Sequence, residues 1–256
     1  MCFYSLLGAL LALSLTTFAP ADEPVRVLMM TGQNNHNWKA TTPVLEEIIA
    51  KSGRFDLTVD YKPWDFGPDA FDNYDVVLSN WGVWPKTELD PWPEETKAAF
   101  LKFIEGGGGL VVIHAGSSLH YPWDDFQALV GKTWMRGKTW HGPKHEFLVT
   151  PSPDHPITAG VKPFRIFDEL WRDMVPMGEF ETIATADTSG DKKKQGPQEP
   201  MLMTTGRGEG RGVNLVLGHD TRSMSNAGFQ TLLLRSLEWS ATGEVAATAP
   251  ALSAAE

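Results

Sequence analysis

The sequence predicts an α/β fold in three layers, with a doubly wound, mainly parallel sheet between helices. The first observation is a set of short apolar runs without alternation, such as residues 111–113, which is typical of strands covered on both faces. The second is helical spacing of apolar residues between those runs, as at Val44, Leu45 and Ile48. The third is the order β-α-β-β-α-β, because such crossovers leave consecutive strands parallel with helices on both faces.

Each element is predicted in order along the chain. Strands are expected at 25–30, 55–61, 75–79 and up to His114. A loop at 31–38 precedes a helix through Val44, Leu45, Ile48 and Ile49, and a second helix is expected at 94–105. A short helix at 124–130 precedes a stretch to about residue 169 that is rich in Gly, Pro, Trp and His and is predicted to form functional loops. Further strands are expected at 181–186, 201–205 and 213–217, followed by a last helix that Asn226 caps.

The N-terminal residues have the features of a signal peptide. An apolar run at 6–15 precedes Ala19-Pro-Ala21, which fits a cleavage site of the A-x-A type, although no Lys or Arg precedes the run. We therefore expect residues 1–21 to be a signal peptide, 22–242 a single α/β domain and 243–256 a flexible tail, in a secreted or periplasmic protein. The run is shorter than the roughly 20 residues of a membrane span, and no later segment is long enough, so no membrane span is predicted.

Charge and cysteine content exclude several classes of function. The net charge is −10, and the one basic run, at 192–194, lies among glycine and proline and is predicted to be a solvated loop, so nucleic acid is not an expected partner. Cys2 is the only cysteine and lies within the predicted signal peptide. The mature chain would therefore have neither a disulfide nor a thiol nucleophile.

Two predicted strands end in polar residues. One runs into His114-Ala-Gly116, and the other into Gly218-His219-Asp220. In open α/β sheets, ligands bind in the crevice beyond the carboxyl ends of the strands, so both histidines are candidates for chemistry. The alternative for His114 is a hydrogen-bonded histidine at a strand end with no further role.

Five segments in this order carry a resemblance to a known family. They are the glycine-rich strand ending at His114, the loop around Trp140-His141-Gly142, His155-Pro-Ile-Thr158, Asp168-Glu169-Leu170-Trp171, and the strand ending at His219-Asp220. Together they resemble the trehalose-utilisation (ThuA-like) family over about residues 25–239. The resemblance implies the class I glutamine-amidotransferase-like, flavodoxin-related fold and an association with disaccharide utilisation.

The resemblance also excludes one reaction. Amidotransferases of this architecture place a nucleophilic cysteine on the turn where this sequence has His114, Ala115 and Gly116. Glutamine hydrolysis through a thioester is therefore not expected. Ser117 and Ser118 follow closely, but neither has the G-x-S-x-G context of an exposed nucleophile.

The histidines suggest either a metal site or acid–base catalysis. We predict His114, Glu169 and His219 as catalytic groups, and His114, His141 and His219 as ligands of one divalent ion, zinc or similar, because imidazole and carboxylate are its common ligands. Asp220 is predicted to orient an imidazole or to contact substrate. Without a metal, a histidine would serve as base and Glu169 as acid. The chain has seven histidines, at positions 36, 114, 120, 141, 145, 155 and 219.

Other patterns are assigned structural roles. His145-Glu146 does not continue into H-E-x-x-H, so a zincin is not predicted, and His155 before proline is expected to fix a turn. Residues 106–109 precede a strand and are predicted to end a helix, while 206–212 are predicted to form a hairpin turn. No nucleotide cofactor is expected.

Tryptophans in predicted loops suggest a saccharide ligand, because an indole offers an apolar face and a polar edge. We predict His36, Trp38, Trp81, Trp84 and Trp140 as substrate contacts. Trp171 and Trp239 are instead expected in the core.

The sequence therefore predicts an enzyme that hydrolyses, eliminates or isomerises a sugar or an oxidised disaccharide. A non-catalytic carbohydrate-binding module, which would need the tryptophans but not the His/Glu group, is the alternative. A partner domain of extracellular enzymes is a third possibility.

Overall fold

The computed structural model describes residues 23–86, 88–118, 122–188 and 198–246. The predicted signal peptide, His120, the basic run at 192–194 and the tail beyond 246 lie outside the described residues. The secreted or periplasmic location stays a prediction for that reason. In the described part of the chain, no helix has the length and apolar character needed to cross a membrane.

The first half of the chain forms parallel strands joined through helices. The strands lie in the order β2-β1-β3-β4, each parallel to its neighbour. Asn37 caps the first helix by accepting a hydrogen bond from the amide of Ala40, and Gly53 ends it in a left-handed conformation. The elements are β1 (Val25–Met30), α1 (Trp38–Ser52), β2 (Phe55–Asp60), β3 (Val76–Ser79), α2 (Glu94–Glu105) and β4 (Gly109–Ile113).

The second half extends this sheet to nine strands, in the order β2-β1-β3-β4-β13-β12-β11-β7-β8. β13 is parallel to β4, and the strands beyond it pair antiparallel. The elements are α3 (Asp124–Val130), β5 (Lys132–Thr133), β6 (Trp140–His141), β7 (His145–Pro151), β8 (Phe164–Asp168), β9 (Trp171–Arg172), β10 (Val175–Pro176), β11 (Glu181–Asp187), β12 (Gln198–Arg207), β13 (Gly210–Leu215), α4 (Thr221–Met224) and α5 (Ala227–Thr242).

One sequence-based prediction is wrong here. The stretch from 131 to 169 was expected to form loops, yet it contains β7 and β8, two strands of the main sheet. In β7, Phe147 and Val149 are buried while Glu146 and Leu148 are exposed. This alternation is typical of a half-buried strand, and the neighbouring histidines, prolines and glycines obscured it.

The apolar core lies on both faces of the sheet. Val27 and Met29 of β1 pack on the face covered by α1 and α5, while Leu28 and Met30 pack on the face covered by α2 and α3. Successive residues of a strand are therefore buried in different cores, one on each face of the sheet. This explains why the strands are apolar without alternation. The predicted three-layer α/β fold class is confirmed.

The end of β8 lies close to the segment that follows β13. β8 is four strands away from β13 in the sheet order, which in a flat sheet corresponds to about 19 Å. Yet Asp168, the last residue of β8, accepts a hydrogen bond from the amide of Gly218, three residues beyond β13, at 2.8 Å. The end of β8 therefore lies at the carboxyl ends of the parallel strands.

Candidate active site

A group of three imidazoles and one carboxylate lies beyond the carboxyl ends of β1, β4, β8 and β13. Nε2 of His219 is 3.1 Å from Oε1 of Glu169, and Nε2 of His114 is 3.5 Å from Oε2. The ring of His36 lies 4.8 Å from that of His114 and 4.5 Å from that of His219, between centroids. The structure thus brings together the three predicted catalytic residues and adds His36, which was predicted as a substrate contact.

The backbone at His114 is strained. This residue has φ of 40°, a left-handed conformation that is rare outside glycine, and it opens a short 3₁₀ turn that ends at Ser118. The turn packs tightly against β3, since a Cβ at Gly116 would lie 2.2 Å from the carbonyl oxygen of Ser79. Strain of this kind collects at functional sites, where the surrounding structure holds it in place.

The tautomer of His114 follows from its contacts. Nδ1 lies 2.7 Å from the carbonyl oxygen of Val216, so Nδ1 carries the proton and donates it. In the neutral ring, Nε2 is then an acceptor; it is buried and has no hydrogen-bond partner in the described part of the chain. The ring also packs on the indole of Trp171, at 4.4 Å between centroids.

Electrostatics sets different protonation preferences within the group. Burial raises the pKa of Glu169, but the neighbouring His114 and His219 outweigh burial and hold it well below its usual range. Burial and the adjacent imidazoles lower the pKa of His36 to about 3, so this ring is neutral at physiological pH. For His219, burial lowers the pKa, but contact with Glu169 outweighs burial and raises it.

Asp220 has structural partners for its carboxylate. It caps α4 by accepting hydrogen bonds from the amides of Arg222 and Ser223, and it pairs with Lys144 at 2.6 Å. One oxygen is also 3.3 Å from Nδ1 of His219. This geometry fits the predicted orienting role, and the predicted substrate contact of Asp220 stays a prediction.

A pocket opens next to this group. It holds about 400 Å³ of space, part of it open to solvent. Apolar aromatic walls and a few polar groups are typical of small-molecule sites. The lining residues are Asn35, His36, Trp84, Ala115, Trp134, His141, Glu169 and Trp171.

The tryptophans are only partly where the sequence suggested. Trp84 lines the pocket as predicted, whereas Trp81 is 1% exposed and belongs to the core beside α2, so it cannot contact a ligand there. Trp38 packs on Tyr61 in the first turn of α1 and is not among the lining residues. Trp140 is 48% exposed and outside the lining, with its Nε1 bound to Asp173.

Trp171 is buried in a small core cluster, as expected, and its ring also lines the pocket. Its Nε1 is 3.4 Å from Oε2 of Glu169, and its ring contacts Trp134, another lining residue that was not selected from the sequence. The sequence held a signal for the position of Trp171 at the pocket. It lies two residues after Glu169, and residues two apart in an extended segment face the same side. Trp239 packs on the core beside the ring of His155 as expected, and His155 fixes its turn by accepting from the amide of Ile157.

The compact set of metal donors differs from the predicted one. Donor atoms of His36, His114 and Glu169 lie within 4.8 Å of one another. His141, a predicted ligand, is 37% exposed in its side chain, and its Nδ1 lies 2.8 Å from the carbonyl of Gly142. Nδ1 of His141 is also 3.7 Å from Oε1 of Glu169. His141 therefore lies at the rim of the group rather than within it.

Comparisons with known proteins agree with this architecture. The ThuA family, described as trehalose utilisation, matches residues 26–240. A putative ThuA-like protein from Parabacteroides merdae is 30% identical, with a TM-score of 0.74 over 87% of this chain and 92% of that chain. One from Bacteroides uniformis is 16% identical, with a TM-score of 0.65 over 91% and 98%.

A β-galactosidase from Rahnella sp. R3 shares the fold alone, at 16% identity and a TM-score of 0.50 over 84% of this chain and 31% of that chain. A comparison with curated protein sequences found no significant match. The family match covers nearly all of the described residues, and the P. merdae structure agrees with it over most of both chains. This chain therefore belongs to the ThuA, or trehalose-utilisation, family.

Proposed function

We propose that this protein is an enzyme that hydrolyses, eliminates or isomerises a sugar or an oxidised disaccharide, assisted by one divalent ion such as zinc. His36, His114 and Glu169 would hold the ion. The observation that carries the proposal is the buried Nε2 of His114, which has no hydrogen-bond partner among the described residues and faces Oε2 of Glu169 at 3.5 Å.

This contact requires a cation. In the neutral ring, Nε2 of His114 is an acceptor, and Oε2 of Glu169 is an acceptor as well, so neither satisfies the other. A second proton on His114 or a metal ion would resolve the conflict. The adjacent His36 favours the metal, because its low pKa leaves it neutral with a lone pair for a ligand, and imidazole with carboxylate is a common donor set for zinc.

The remaining groups fit acid–base work beside such an ion. An ion bound here would polarise a substrate oxygen. Nε2 of His219 lies 3.1 Å from Oε1 of Glu169, and this contact raises the pKa of His219, so the ring can hold a proton near neutral pH. We assign His219 the delivery and removal of protons, while Glu169, whose lowered pKa keeps it ionised, stabilises the protonated ring.

A saccharide is the substrate class that the pocket fits. Trp84, Trp134 and Trp171 provide flat apolar surfaces suited to the C–H face of a sugar ring, and Asn35 adds an amide for hydroxyl groups. The description of the family points to a disaccharide.

Zinc titration of chelator-treated protein tests the metal. We expect about one zinc per chain, and an affinity more than about 100-fold lower in His114→Ala. His145→Ala is the matched control, because His145 contacts Phe147 and the carbonyl of Pro143 instead of the group. Wild type that takes up no zinc, or equal affinity in all three proteins, contradicts the metal site.

Glu169→Gln separates an enzyme from a binding module. Against a panel of neutral and oxidised disaccharides, an enzyme should lose turnover by at least about 100-fold while substrate affinity changes little. The alternative is a carbohydrate-binding module, which the aromatic walls of the pocket also fit. It would be established if the wild type binds a saccharide without converting it and Glu169→Gln keeps the same affinity.

A further inference from the structure

Asp168 is a buried carboxylate that the proposed chemistry does not use. It ends β8, its exposure is 0%, and no cation pairs with it among the described residues. Burial raises its pKa. An isolated buried carboxylate is costly unless its oxygens are hydrogen-bonded, so its partners show what it does.

The partners are three backbone amides from two distant segments. Oδ1 accepts from the amide of Glu169 at 2.8 Å and from that of His219 at 3.2 Å. Oδ2 accepts from the amide of Gly218 at 2.8 Å. A single oxygen therefore accepts hydrogen bonds from the amides of Glu169 and His219, the two residues whose side chains lie 3.1 Å apart.

The sheet itself cannot make this connection. β8 is the outer strand and β13 lies four places away, so no ladder of strand hydrogen bonds holds their ends together. The hydrogen bonds of Asp168 join the end of β8 directly to the segment after β13. Without them, no strand pairing would hold Glu169 next to the histidines.

We infer that Asp168 is a positioning residue that sets the distance between Glu169 and the imidazoles of His219, His36 and His114. It acts through the backbone and does not touch substrate. The inference deepens the proposed function, on which its consequence for the site rests, whereas its geometric part can be measured without any ligand.

Two variants and one control test this role. Asp168→Asn keeps Oδ1 but turns a donor towards the amide of Gly218, and Asp168→Ala removes both acceptor oxygens and all three hydrogen bonds. Glu238→Gln is the matched control, because Glu238 is a carboxylate only 5% exposed that accepts the amide of Ala246. It also pairs with Arg54, which precedes β2, so it lies at the opposite edge of the sheet.

NMR of the zinc-free protein gives the geometric readout. Wild type should show an NOE between the rings of His36 and His219, whose centroids are 4.5 Å apart, and protected amides at Gly218 and His219. We expect Asp168→Asn to weaken the NOE and speed exchange at these amides by about 10-fold or more, as loss of about one hydrogen bond predicts. Glu238→Gln should change neither the NOE nor the exchange rates. Asp168→Ala, if it folds, should weaken the NOE and speed exchange more than Asp168→Asn does.

Zinc affinity gives the functional readout. It should fall about 10- to 100-fold in Asp168→Asn, the range seen when a group that orients ligands is removed, and stay unchanged in Glu238→Gln. Unchanged NOE and exchange in Asp168→Asn, equal effects in the control, or an altered geometry with unaltered zinc affinity would each overturn the inference. If wild type binds no zinc while Asp168→Asn still loses the NOE, the metal proposal fails and the positioning role stands.

Discussion

Gly218 joins β13 to His219 and has φ of 105°, a conformation that L side chains rarely adopt. A Cβ there would also lie 2.8 Å from Cγ2 of Ile113 and 2.8 Å from Cε2 of Phe229. We expect Gly218→Ala to destabilise the protein through both effects. The backbone strain costs about 1–3 kcal/mol and the overpacking about 1–3 kcal/mol, which gives about 2–6 kcal/mol together.

Differential scanning fluorimetry measures the result. For a domain of this size, 1 kcal/mol corresponds to about 2–4 °C, so a loss near 4 kcal/mol lowers the melting temperature by about 8–16 °C. Gly53→Ala separates the two contributions, because Gly53 has φ of 65° and nothing within 4 Å of a built Cβ. That control should lose only about 1–2 kcal/mol. Melting temperatures of the two variants within about 2 °C of each other would refute the packing argument.

Three further outcomes follow. Trp171→Ala should destabilise the protein by about 3–5 kcal/mol in chemical denaturation, because it empties a buried site against the ring of His114; a loss below about 1 kcal/mol would speak against that packing. Asn226→Ala should lose about 1 kcal/mol, since its side chain caps α5, and an unchanged denaturation midpoint would contradict the cap. Zinc affinity measured calorimetrically should fall as pH drops from 7.5 to 5.5, because His219, whose pKa contact with Glu169 raises, then carries a positive charge against the carboxylate ligand, while His36 with its pKa of about 3 stays neutral; a pH-independent affinity would contradict this coupling between His219 and the ion.

Local patterns predicted the parallel half of the fold well. The helix predicted at 124–130 coincides with α3, and the predicted cap at Asn226 begins α5, because both depend on nearest neighbours along the chain. The glycine-rich segment at 206–212 forms the β12–β13 turn as expected. β7 and β8 were missed because their alternation is interrupted by residues that usually mark loops.

The site was predictable in its residues but not in its geometry. Strand ends identified His114 and His219, since the parallel arrangement dictates where such ends lie. The contributions of His36 and Asp168 depend on how the loop after β1 and the end of β8 approach the other strand ends, which no local pattern specifies. Trp81 was assigned to the pocket and lies in the core, and the pocket-facing side of the buried Trp171 was missed, because composition alone does not show which way an indole points.

The assembly of the site from distant segments also has a kinetic consequence. The residues of the site lie in loops after β1, β4, β8 and β13, so most of the described sequence separates the first of them from the last. Contacts of such high sequence separation form late and slowly, because loop-closure entropy opposes them until the intervening strands are in place. Refolding should therefore restore secondary structure well before the site regains its function, and the recovery of ligand binding would report completion of the whole fold.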